Sequence, residues 1–132
     1  MTMPAMKREL SASYDDVLAR TVEALKAEGF GVLTEIDVKA TLAAKIGVDF
    51  RRYKILGACN PKLAHQALGS DLDVGVLLPC NVVVYETDDG KTVVSAMDPG
   101  EAIGAFGGPE LAAVATEVTA KLTRVLDSLA PS

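Results

Sequence analysis

Apolar residues recur along this chain with two different periods, and each change of period marks an element. Residues 3–12 alternate weakly and suggest a first strand. Ser13 and Asp16 stand at capping-box spacing, where side chains answer the free amides of a first helical turn. Tyr14, Val17, Leu18, Thr21, Val22 and Leu25 then follow on one helical face, and Gly29 suits the left-handed stop. From Phe30 the period falls to two. Phe30, Val32, Thr34 and Ile36 alternate with Gly31, Leu33 and Glu35, which predicts a strand with those two sets on opposite faces. Asp37 caps a predicted short helix over 38–46, with Val38, Leu42 and Ile46 on one side and Gly47 as its end. Residues 50–58 read as a strand, with Tyr53 and Ile55 on one face and Leu56 and Ala58 on the other.

Asn60-Pro61 is the clearest helix start, because Asn caps well and proline fits the first helical position. That helix is expected over 61–69, with Leu63, Ala64, Ala67 and Leu68 inward. Val76 to Glu86 reads as a long strand interrupted at Pro79, which cannot donate to a ladder. Asp89-Gly90 suits a tight turn, and Lys91 to Asp98 returns as the partner strand. Asp98-Pro99 caps about one helical turn. Gly100, Gly104, Gly107 and Gly108 suggest a flexible connection able to act as a lid. Without a following Lys-Ser or Lys-Thr they make no phosphate loop. From Pro109, Leu111, Val114, Ala115, Val118, Leu122, Val125, Leu126 and Leu129 form the strongest helical row in the chain. A hairpin flanked by helices predicts an α+β layer, an antiparallel sheet covered by helices.

Size and charge narrow this picture. A chain of 132 residues suits one domain, and no run reaches the roughly 18 apolar residues of a membrane span. Lys7, Arg8 and Glu9 stand where a secretion signal needs an apolar stretch, so the expected location is the cytoplasm. There Cys59 and Cys80 are expected as thiols. The net charge of −5 argues against nucleic acid, whose binding rests on Lys and Arg contacts. The one local basic cluster, Arg51, Arg52 and Lys54, reads as a solvated strand edge. Hydrophobic residues make up 49% of the chain. Either the surface is rich in alanine, or an apolar face is left for a ligand or a second subunit.

Several segments together resemble the family called domain of unknown function 302. They are Gly29-Phe30-Gly31-Val32-Leu33-Thr34-Glu35-Ile36-Asp37-Val38-Lys39, Tyr53-Lys54-Ile55-Leu56-Gly57-Ala58-Cys59-Asn60-Pro61 with Ala64, Leu77-Leu78-Pro79-Cys80-Asn81-Val82-Val83-Val84-Tyr85, and Met97-Asp98-Pro99. They fall in the family's order and span about residues 10–128 of a single domain. The resemblance implies a TATA-binding-protein-like α+β fold, a curved antiparallel sheet with helices packed on one face. It implies no activity, and fold alone does not imply DNA binding.

Few residues offer chemistry. Cys59 precedes the Asn60-Pro61 helix start, where free amides and the helix dipole favour a thiolate. It reads either as a reactive thiol or as a small buried residue at a strand–helix junction. Cys80 shares a strand face with Leu78, Val82 and Val84 and carries the same two readings. Asn81 faces the other way, and either braces the backbone or points into a pocket. Asn60 and Asp98 are best explained as caps. His65, the single histidine, falls on the polar flank of its helix, so a Cys59–His65 pair looks strained. A zinc site from both cysteines and His65 lacks a fourth ligand. No metal or cofactor is implied. The expected function is therefore binding, either of a small apolar ligand near Cys59, Asn60, Cys80 and Asn81 or of a second copy as a homodimer. The alternative is a thiol-dependent redox protein or enzyme using Cys59 with Cys80.

Overall fold

A computed structural model describes residues 5–103 and 108–129. Five strands form one open antiparallel sheet: β1 (Ala5–Leu10), β2 (Gly31–Asp37), β3 (Tyr53–Cys59), β4 (Cys80–Glu86) and β5 (Thr92–Met97), in the order β1-β5-β4-β3-β2. The helices are α1 (Tyr14–Ala27), α2 (Val38–Ile46), α3 (Pro61–Ser70), α4 (Pro99–Ile103) and α5 (Pro109–Leu129), with a 3-10 helix at Leu72–Leu77. This is the expected α+β layer. Alternation decides which side of the sheet the helices cover. Leu56, Ala58, Val82, Val84, Val94 and Ala96 point to one face and are buried there with Val17 and Leu25 of α1. All eight apolar positions of α5 anticipated from the sequence are buried in the same cluster.

The caps form as the sequence predicts. Ser13 accepts from the Asp16 amide, Asp37 from Ala40 and Asn60 from Leu63. Gly29 and Gly47 take the left-handed conformation, φ 84° and 66°, that lets the chain leave α1 and α2.

Two expectations need correction. The segment before Pro79 is not strand. Asp71 accepts from the Asp73 amide and starts the 3-10 helix, so β4 begins only at Cys80, after the proline that cannot donate to the ladder. The short helix α2 forms over the expected residues and ends at Gly47, but it buries none of its side chains, and Ile46 is 67% exposed. In β2 the alternation does not run through. Val32 pairs with Ala58 but Thr34 pairs with Gly57, so the strand bulges at Leu33 and changes face. Gly104 and Gly107, and with them the lid expectation, lie outside the described residues.

Gly57 is required by close approach. A Cβ there would sit 2.0 Å from Thr34 Oγ1 and 2.9 Å from Pro79 Cγ. Gly57→Ala should therefore cost about 1–3 kcal/mol by overpacking, read as a lower denaturant midpoint. Adding Thr34→Ala should recover part of the loss. A single variant as stable as the parent would mean that β2 and Pro79 yield freely.

Candidate functional site

Where β3 ends and β4 begins, the sheet meets α3 and α5 at an apolar crevice. Ala58, Cys59 and Cys80 form its floor, Leu63, Ala64 and Ala67 one wall, and Val114 and Val118 the other. Leu78, Pro79, Phe30 and Ile103 complete it. The local sequence explains the placement. Ala58 lies opposite Cys80 in the β3–β4 register, so both point under the helices. Proline at the first position of α3 turns the chain sharply from strand into helix. The small side chains of Ala64 and Ala67 keep that helix from filling the gap.

The crevice is narrow. Its free volume is only about 20 Å³. Roughly 10–15 Å³ of such space is the least that holds one water. A drug-sized ligand needs several hundred Å³, so only a small apolar group enters unless α3 and α5 part.

The candidate residues divide. Cys59, half-buried, and Cys80, 6% exposed, are both free thiols lining the crevice. Burial raises the Cys59 thiol pKa. Burial, and secondarily the nearby Cys59, pushes Cys80 up to about 11. The thiolate that the helix start favours at Cys59 is thus opposed by desolvation, which wins there, and burial raises Cys80 further. Asn60 lines the crevice, but its polar atoms serve structure: Oδ1 accepts from the Leu63 amide at 3.3 Å, and Nδ2 donates to the Glu28 carbonyl at 3.5 Å, tying α3 to the end of α1. Asn81 is not part of this site. It is exposed on the opposite face of the sheet, across from Gly57.

His65 is exposed and lies on an outer groove between α3 and α5 with Glu110 and Glu117, apart from the crevice lining. Among the described residues no three His, Cys, Asp or Glu side chains are grouped to hold a metal. The basic cluster is matched by carboxylates: Arg51 pairs with Asp88 at 2.9 Å, Arg52 with Asp15 and Glu86 at 3.3 Å each, and Lys54 with Glu35 at 2.7 Å. Arg52 also lies 4.6 Å from the centre of the Tyr14 ring. Phe30, Val114 and Val118, which complete the crevice, read in the sequence only as core. Nothing in a row of buried apolar residues marks which of them border a gap.

An open five-stranded antiparallel sheet with helices on one face and an apolar crevice at its strand ends defines a small α+β domain. The chain belongs to the DUF302 family, a domain of unknown function, whose family model matches residues 6–129. It is similar to an uncharacterized conserved DUF302 protein from Bacillus stearothermophilus of known crystal structure, with a TM-score of 0.87 and 35% identity over 96% of this chain and 98% of that one. No curated protein matches the chain. Among the described residues no helix is long and apolar enough to cross a membrane.

Proposed function

We propose that this domain is a binding module that takes the apolar end of a small molecule in the crevice between α3, α5 and the β3–β4 strand ends. The observation that carries the reading is the crevice lining: its polar atoms are limited to two protonated thiols and an asparagine already engaged with the backbone. Such walls offer contact area and desolvation to a small alkyl group, and offer nothing to a charge. Thiols held protonated at neutral pH are poor nucleophiles, so the thiol-enzyme alternative gains no support from their surroundings. We place the domain in the cytoplasm, on two unpaired thiols that suit a reducing compartment.

Xenon, an apolar probe small enough for so narrow a gap, serves as the test ligand. Its addition should shift the methyl resonances of Leu63, Val114 and Val118 saturably and slow alkylation of Cys59. Ala64→Leu, at a half-buried position in the wall, should abolish both effects while leaving the thermal midpoint nearly unchanged. Absence of saturable shifts, or shifts undiminished in that variant, would refute the reading.

A further inference from the structure

The sheet face turned away from α1, α3 and α5 carries a second apolar surface. The β3–β4–β5 register lays two rows across it, Tyr53–Tyr85–Val93 and Ile55–Val83–Ser95. Neither row holds a charge, although 23% of the chain is Asp, Glu, Lys or Arg. The Tyr53 and Tyr85 rings are stacked, with centres 5.2 Å apart and planes 7° apart. Val93 is only 6% exposed yet stands outside the helix-side core cluster. An antiparallel sheet with one wet face alternates apolar and polar residues, whereas strands apolar on both faces belong to sheets covered on both sides. On the edge strand β1 the rows continue into charge, with Lys7 beside Ser95 and Glu9 beside Val93, and Lys91 reaches Glu9 from the start of β5.

We propose that this face is where two copies of the chain pack, sheet on sheet, about a two-fold axis that crosses the strands between the two rows. Three observations select a second copy. The first is charge complementarity. That axis preserves strand order and exchanges the rows, so Lys7 of each copy meets Glu9 of the other, while Tyr53 meets Ile55 and Tyr85 meets Val83. Glu9 is only loosely engaged within its own chain, 3.7 Å from Lys91. The second is the neutral centre. Copies that each carry a net charge of −5 repel least where unpaired carboxylates are absent, and interface cores are depleted of charge and enriched in tyrosine. The third is area. Five strands about 4.8 Å apart and about six residues long make a face of roughly 24 by 20 Å, about 480 Å² before side-chain relief is added. A stable interface takes about 800 Å² of accessible surface from each partner, so side-chain relief on these five strands supplies the remainder. The inference is independent of the crevice, which lies on the other side of the sheet.

Sedimentation of the full chain at micromolar concentration tests it. The parent should run as a dimer, and Val83→Lys should weaken association at least about 30-fold, the scale of an interface hot spot. Lys7→Glu and Glu9→Lys should each weaken it, and the two together should restore it, because the exchanged charges again face opposite signs. That rescue decides the matter even if Val83→Lys fails to fold. A monomeric parent overturns the proposal, including one whose sheet face responds only to lipid vesicles or to an apolar probe. So does a dimer indifferent to both the Val83 and the charge-exchange variants.

Discussion

Leu122→Ala should lower the stability of this domain by about 2–5 kcal/mol, the range for a buried leucine truncated in a core that relaxes only in part. Leu122 is fully buried, in the middle of α5, within the single cluster that joins α5 to α1 and the sheet. Truncation removes contacts to both layers at once, and neither layer can close the gap without moving the other. For a chain of this size the thermal midpoint should drop by roughly 10 °C or more. The chemically identical change Leu72→Ala, at a position 83% exposed on the 3-10 helix, should stay within about 0.5 kcal/mol of the parent. Equal effects of the two substitutions in urea unfolding would mean that α5 does not carry the core.

The contrast between those leucines also separates what the sequence discloses from what it hides. The row from Leu111 to Leu129 keeps one period over some five turns, and every position it marks is buried, since a helix that long has few ways to hide so wide a stripe. Val76 carries the same kind of side chain but lies three residues before Pro79, and Asp71 can cap a 3-10 helix as readily as hydrophobicity can extend a strand; Val76 is 82% exposed. In β2 the bulge at Leu33 is set by the partner strand, where Gly57 makes room for Thr34, a long-range fact that local alternation does not contain. The site divides along the same line. Cys59, Asn60 and Cys80 were marked by chain-local signals, a helix start and a strand face, and they do come together. Asn81 is adjacent in sequence to Cys80, and adjacency in a strand means opposite faces. The crevice itself is a remainder left between α3 and α5, so its depth depends on packing that no single segment encodes.

The second large effect concerns protons at Cys80. In the unfolded chain its thiol titrates near its ordinary value of 9.0, and in the folded chain near 11. Between those values the unfolded state has released a proton that the folded state still holds, so the unfolded state binds fewer protons and stability falls as pH rises. The stabilisation is complete below pH 9 and is lost progressively toward pH 11, on the order of 2–3 kcal/mol in all. Tyr14 and Tyr53, both raised chiefly by burial, add a decline of the same sign at still higher pH, so the comparison that isolates the thiol is with Cys80→Ala, whose stability curve should be flatter over this interval. The same shift governs reactivity. At pH 8 a thiol of pKa 11 is about 0.1% thiolate against roughly 10% for an ordinary one, so alkylation of native Cys80 should be about 100-fold slower from ionisation alone and slower still from burial. Cys59, half-buried where Cys80 is buried, should be modified first, and Cys80 only as the protein unfolds. Equal labelling rates in the native protein, or an unchanged alkaline slope in Cys80→Ala, would mean that Cys80 is wet, and with it the floor of the crevice on which the proposed apolar binding depends.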